Sequence, residues 1–388
     1  MNTARPTEAF HIAVVDLPEH LREADEQTLG VLATLLRADV TMSNEVWAEV
    51  FGHDDFRNVA TNTLHSMRHQ KTRRKVVLVA LTGRAFAGVG EFGLPHLSAT
   101  DDLGDSELVG SVFVANPIID NTHLIDGMEV AVRADWRRRG VGSALLEAAE
   151  VVARVWGVTT LMGWGTHREG GDSADAVRPK EGLFSVSPDA GSALALARGY
   201  SLAQCERHST QDVPSEPVAL PPTPQGYELL YWRDHTPAGV KQARCRLAEA
   251  MVSDTPKGEL DLEDATWTVE RLDTVEQSTF ELNEGLTTAV RHVATGELVG
   301  FTELNRVRDL PAVAWQEVTV VLGHHRGHGL GRVLKWANLA QCQQLWPEVE
   351  RIHTWNAGEN RWMLAINDEL GYRIATVGGA WQKKLGQA

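Results

Sequence analysis

No stretch of the sequence is both long and apolar. The cleanest run, Val76 to Leu81, is far shorter than the roughly 20 residues that span a bilayer, so no membrane-crossing segment is expected. Basic residues are outnumbered, 37 Lys and Arg against 52 Asp and Glu. The resulting net charge of -15 repels phosphate at long range and argues against non-specific nucleic-acid binding. The three cysteines, Cys205, Cys245 and Cys342, are far apart and outside any CxxC pairing, which argues against a disulfide framework and a thiolate zinc site. The amino terminus, MNTARPTEAFHIAVVD, lacks the basic patch and apolar stretch of a secretory signal, and the expected compartment is the cytoplasm.

What is present, 43% hydrophobic and 23% charged residues, is the composition of a soluble globular protein. A chain of 388 residues exceeds one ordinary core and fits two domains. The acidic balance suits a cationic acceptor such as an amine, although solubility alone would also explain it.

An internal repeat organises the chain. RRRGVG at Arg137 to Gly142 returns 189 residues later as RGHGLG at Arg326 to Gly331, both reading Arg-x-x-Gly-x-Gly. Each follows an apolar strand candidate, Met128 to Val132 and Glu317 to Leu322, and each precedes helical periodicity. In the first copy Val141, Leu145, Ala148, Val152 and Trp156 share a helix face, with Glu147, Glu150 and Arg154 away from it. In the second, Leu330, Leu334, Ala337 and Leu345 do the same. Further strands are expected at Thr159 to Met162 and Arg351 to Thr354, and each half closes on a helix ending in Gly-Tyr, at Tyr200 and Tyr372. The spacing from motif arginine to that glycine is 62 residues in the first half and 45 in the second. The excess fits a polar insertion loop at Gly163 to Gly182, which either borders an acceptor pocket or lies passively on the surface.

Between the halves, Val213 to Gly226 holds five prolines in fourteen residues, which preclude a helix or a central strand. The expected organisation is therefore a domain at residues 1–212, a proline-rich linker at 213–226 and a second domain at 227–388. Ahead of its repeat, the first half reads as a strand at His11 to Val15, helices near Ala24 to Arg37 and Asp54 to Met67, and strands at Val76 to Leu81 and Val109 to Val114. The second half reads as a strand at Tyr227 to Trp232, a helix near Ala238 to Val252, and paired strands at Leu286 to Val293 and Leu298 to Leu304.

A strand, a glycine turn and a helix make an anion site, because the first helical turn has unpaired N–H groups and a partial positive charge. Gly140 and Gly142, with Gly329 and Gly331, remove side chains where a pyrophosphate would sit. Arg137, Arg138, Arg139, Arg326 and Arg332 can add charge-assisted bonds. A dinucleotide fingerprint needs GxGxxG early in a βαβ unit, whereas these turns lie mid-domain behind antiparallel-looking strands. No GxxxxGK[ST] occurs at either turn.

At these residues the sequence resembles the GNAT superfamily of N-acetyltransferases, whose motif A is Arg/Gln-x-x-Gly-x-Gly/Ala at a strand-to-helix turn. Asp120 to Leu146 and Gln316 to Lys335 look like that motif with its preceding strand, and Thr354 to Arg373 looks like the last strand–helix unit of the family. The resemblance implies two GNAT folds in tandem, of α+β type, each a mixed, mostly antiparallel sheet flanked by helices. It implies acetyl-CoA as acyl donor and direct transfer to an amine of a small molecule or peptide. It places cofactor contacts at Val130, Val132, Arg137 to Arg139, Gly140, Val141, Gly142 and Ser143, and at Val321, Arg326, Gly327, His328, Gly329, Leu330, Gly331, Arg332 and Asn360. Asn360 also reads as a helix cap.

A primary amine is mostly protonated at neutral pH, so a carboxylate base is useful. Glu129 is the candidate in the first half and Glu317 in the second, although Glu317 corresponds to Met128 when the repeat is laid over itself. A one-residue slip turns a side chain to the other sheet face unless a bulge compensates. Such a bulge is common in the family, and backbone N–H groups near Val132 and Val321 could then polarise the thioester carbonyl. Many relatives place a tyrosine five residues before the final aromatic to protonate the leaving thiolate. Here those positions are Ala195 and Asn367, which leaves the general acid unassigned. His324, His325 and His328 have no carboxylate or cysteine at suitable spacing and read as solvated turn residues, so no metal is expected. The alternatives are that one half is only a scaffold or acyl-CoA sensor, or that the whole chain is a non-enzymatic binding protein. The acceptor and the oligomeric state are not legible.

Overall fold

The computed structural model describes residues 9–16, 29–83 and 88–386. The chain forms two compact units, one from Met1–Pro179, Ser185–Ala203 and Gly379–Ala388, the other from Lys180–Phe184 and Gln204–Gly378. No helix among the described residues is long and apolar enough to cross a membrane.

The first unit is built on a sheet ordered β3-β1-β2-β4-β6, from β1 (Phe10–Val15), β2 (Arg73–Thr82), β3 (His96–Leu97), β4 (Leu108–Pro117) and β6 (Gly127–Val132). Its main pairings are antiparallel, while β3 runs parallel to β1. Short β5 (Leu124–Ile125) pairs in parallel with β7 (Thr160–His167). The helices are α1 (Val31–Phe51), α2 (Ala60–Arg68), α3 (Val141–Val155) and α4 (Ala190–Ala197). The helix expected near Ala24 to Arg37 begins outside the described residues; the described helix runs on to Phe51. Leu32, Leu35 and Met42 of α1 pack with Ala13, Val79 and Leu81 of the sheet.

The helix expected near Asp54 to Met67 begins only at Ala60, and two further expectations change. Gly163 to His167, expected in a loop, continues β7, because Gly163 lets the strand pass close to Met128, where a Cβ would come within 3.1 Å of the Met128 carbonyl oxygen. Glu150, expected on the solvent face of α3, is buried because Arg154, Arg198 and Lys383 surround its carboxylate. His167 is also buried. Its Nε2 accepts from the Trp381 indole at 3.1 Å, so its proton sits on Nδ1 and is donated to Asp189 at 2.6 Å. Asp189 in turn caps α4 through the Ser192 amide.

The second unit carries, in order, β8 (Ser201–Asp212, within this unit from Gln204), β13 (Arg351–Ala357), β12 (Val313–Val321), β11 (Leu298–Val307), β10 (Asn283–His292) and β9 (Tyr227–Arg233). Among the described pairings of these six strands β12 and β13 alone run parallel, and they pair from Val313↔Arg351 to Gln316↔Thr354. The helices are α5 (Lys241–Asp254), α6 (Val269–Phe280), α7 (Leu330–Leu345) and α8 (Arg361–Glu369); β14 (Arg373–Lys384) follows, in this unit as far as Gly378. Leu339, Cys342 and Trp346 of α7 pack on Leu286, Leu304, Ala314 and Ile352. Residues 213–226 hold neither helix nor strand, and the Gln343 side chain binds the carbonyls of Pro214 and Glu216 and the amide of Val218.

Candidate functional site

The two glycine turns are built alike. In the first unit the chain leaves β6, makes a 3-10 turn at Ala134–Trp136 and enters α3 behind Gly140, which has φ 90° and no side chain capping the helix. The Arg137 Nε donates to the Val132 carbonyl at 3.1 Å, and its terminal nitrogen pairs with Glu49 at 2.7 Å. In the second unit β12, a turn at Gly323–His325 and Gly329 (φ 72°) lead into an equally uncapped α7. There the Arg326 Nε donates to the Val321 carbonyl at 2.9 Å and its Nη2 pairs with Asp254 at 2.6 Å. Both motif arginines therefore brace the turn from behind.

The Ala144 and Val333 amides already bond the carbonyls of Gly140 and Gly329. The first-turn donors left are the amides of Val141, Gly142 and Ser143, and of Leu330, Gly331 and Arg332. A Cβ on Gly140 or Gly329 would stand in open space, within the approach to those amides. Gly142 differs. A side chain there would meet Leu194 at 2.9 Å, so this glycine also lets α4 approach α3. Arg332 pairs with Glu369 at 2.5 Å, and Arg139 lies over the Trp136 ring at 4.8 Å. Arg138 sits at φ 63°, where the second turn has Gly327 at φ 81°.

The open edges follow from hydrogen-bond alternation. Arg133 N–H bonds Val109, and Leu322 N–H bonds Val299. The N–H groups of Val132 and Val130, and of Val321, therefore point away from β4 and β11. On that side β6 is the edge of its sheet, and β12 has no partner beyond Gln316.

Glu129 and Glu317 occupy the same row of their sheets. Val132 pairs with Gly110 and Glu129 with Phe113; Val321 pairs with Gly300, but Thr319↔Thr302 is followed by Gln316↔Leu304. The extra residue is a bulge at Glu317 and Val318 opposite Glu303, and it absorbs the one-residue mismatch of the repeat. Both glutamates keep a solvent-exposed face yet are hemmed in by protein. Desolvation pushes each carboxyl up to about 7. A Trp47 hydrogen bond opposes the rise at Glu129, while Asp39 adds to it; at Glu317 the neighbour that adds is Glu303. Asp39, itself raised by burial and hydrogen-bonded to Ser111, lies on α1 far from the motif, and nothing in the local sequence marks it.

Residues 74–176 match the Acetyltransferase (GNAT) family. Among solved structures the chain is similar to a tandem GNAT protein from the clavulanic acid biosynthesis pathway (without AcCoA), at 24% identity and TM-score 0.69, with 98% of this chain and 100% of that one covered. The family match thus lies within the first unit, and the fold of the chain as a whole is that of a tandem GNAT protein. It is similar too to a GCN5-related N-acetyltransferase from Sphaerobacter thermophilus, at 13% identity, TM-score 0.59 and coverage of 97% and 95%. A third likeness is to a GCN5-related glucosamine N-acetyltransferase region in a fungal multi-domain GH3 beta-N-acetylglucosaminidase, at 13% identity and TM-score 0.54, covering 97% of this chain and 38% of that one. These likenesses are of fold. No protein of curated function matches the chain in sequence.

In the second unit Asn367, five residues before Tyr372, belongs to a polar chain. Lys335, buried in α7, donates to the Asn367 Oδ1, and the Asn367 Nδ2 donates to the Asn356 Oδ1 at 2.5 Å. Asn356 lies on β13 just past its last pairing with β12. Asn360 accepts from the Met363 amide at 3.3 Å and so caps α8.

Proposed function

We propose that this GNAT protein is an acyl-CoA-dependent N-acyltransferase, with an acyl-CoA site in each half, that moves an acetyl group to an amine of a small molecule or peptide. The observation that carries the reading is the pairing, in each half, of an uncapped glycine-led helix start with a glutamate in the same row of the open-edged strand before it, its carboxyl pushed up by desolvation. The residues fit a diphosphate. Amides of the first turn donate to it, and the backbone beside Gly140 and Gly329 is open for its approach. The motif arginines hold the strand carbonyl and the turn in register rather than reaching outward.

An acyl-CoA supplies a thioester carbonyl open to attack by a neutral amine. Glu129 and Glu317 take the proton of that amine, directly or through water, and a base poised near 7 is matched to the task at neutral pH. The outward N–H groups of Val132 and Val321 stand ready as carbonyl donors. Cys205 and Cys342 are pushed up to about 12 by burial, so neither offers a thiolate as an acyl carrier, which favours direct transfer.

Thiol release from acetyl-CoA across a broad amine panel tests the reading. At least one amine is expected to raise release well above hydrolysis, with loss of that increment in the Glu129→Gln, Glu317→Gln double variant. Binding of acetyl-CoA without release for any amine would leave a sensor or scaffold instead.

A further inference from the structure

We propose that the second half binds a zinc-class divalent cation between Glu297, His324 and His325, behind its glycine turn. The sequence separates the carboxylate from the two histidines by 27 and 28 residues, and the antiparallel pairing of β11 with β12 removes that separation. Leu322 N–H bonds Val299, which brings the start of β11 beside the turn that follows β12. The Glu297 Oε2 then lies 3.8 Å from the His324 Nε2 and 3.9 Å from the His325 Nε2, and one ligand atom from each residue lies within 4.8 Å of the others. Donors around a tetrahedral zinc at about 2.0–2.2 Å stand roughly 3.3–3.6 Å apart. Small side-chain rotations close that difference.

The ring that would coordinate is already oriented. The His325 Nδ1 lies 2.8 Å from the Tyr227 hydroxyl, leaving Nε2 facing Glu297, the arrangement in which a metal-binding imidazole is held through its second nitrogen. His324 is exposed at 65% and Glu297 at 35%, against 11% for His325, so an ion can enter from solvent and keep a position for water or a phosphate oxygen.

The first half supplies an internal comparison. Its counterparts of Glu297, His324 and His325 are Glu107, Asp135 and Trp136, and the counterpart of Leu322 is Arg133. The Arg133 guanidinium bridges Glu107 at 2.8 Å and Asp135 at 2.7 Å. One half thus places its own cation beside the carboxylate. The other has leucine in place of that arginine and two imidazoles around the carboxylate instead. Among the described residues Glu297 pairs with no lysine or arginine.

The test is calorimetric titration of the EDTA-treated full-length protein with zinc chloride, followed by melting curves with and without zinc. Wild type is expected to bind one equivalent whose affinity falls roughly tenfold or more in His324→Ala and in Glu297→Gln, with the zinc-induced rise in melting temperature lost in both. Circular dichroism checks that these surface variants are folded. Absence of stoichiometric binding by wild type, or undiminished binding in both folded variants, overturns the proposal; the latter would place the ion on other histidines.

Discussion

Lys335 donates to the Asn367 Oδ1 from a position only 2% exposed, and burial holds its amine down at about 7. The folded chain therefore binds fewer protons at this site than the unfolded chain between about 7 and the ordinary 10.5, and the contribution of Lys335 to stability rises with pH across that window. Below 7 the full cost of a buried ammonium is present. Replacing it with methionine removes this slope, while the stranded Asn367 carbonyl costs about 1–3 kcal/mol at every pH. Urea unfolding of wild type and Lys335→Met at pH 6, 8 and 10 should give a difference that shifts steadily in favour of wild type as pH rises. A constant difference would contradict the burial of a titrating amine.

The glutamates titrate with the opposite consequence. Each carboxyl is raised from 4.5 to about 7, so the folded chain holds extra protons in that window and loses stability as pH climbs through it. Glu129→Gln and Glu317→Gln should each raise the melting temperature at pH 8 and leave it nearly unchanged at pH 4. Turnover should move the other way, falling by about 10²–10⁴ in whichever half is active, with acetyl-CoA affinity preserved. The wild-type rate should rise with pH through an apparent pKa near 7. A wild-type rate in the double variant removes both residues as bases.

Arg138 adopts the left-handed backbone that Gly327 adopts in the other half, at φ 63° against 81°. A side chain in that conformation costs on the order of 1 kcal/mol, partly offset by the greater chain entropy of glycine. Arg138→Gly should therefore match or slightly exceed wild type in thermal stability, and Gly327→Arg should fall below it. A clear loss in Arg138→Gly would mean that the guanidinium contributes contacts outweighing the strain.

The parts of the fold that local pattern can carry were readable: the duplicated strand, glycine turn and helix, most sheet strands, and the proline-rich stretch without regular structure. Glu150 was misplaced because helical periodicity reports one face, and Lys383, 233 residues away, makes burial of that carboxylate tolerable. β8 and β14 were missed, and α6 likewise; in β8 the polar run Gln204 to Asp212 hides strand alternation, and its pairing with β13 is non-local. At the site, spacing alone set Glu317 against Met128, since a bulge adds a residue without a sequence signature. Asp39, Lys335 and Glu297 reach their partners only through the fold, where they meet Glu129, Asn367 and the two histidines.

The most direct measurement is acetyl-CoA stoichiometry by calorimetry on folded wild type, Gly140→Asp and Gly329→Asp. An aspartate at either place puts a side chain and a negative charge where the diphosphate would approach the first-turn amides. Wild type is expected to bind two equivalents and each variant one. No uptake by wild type, or undiminished uptake by both variants, would contradict acyl-CoA binding at the two helix starts.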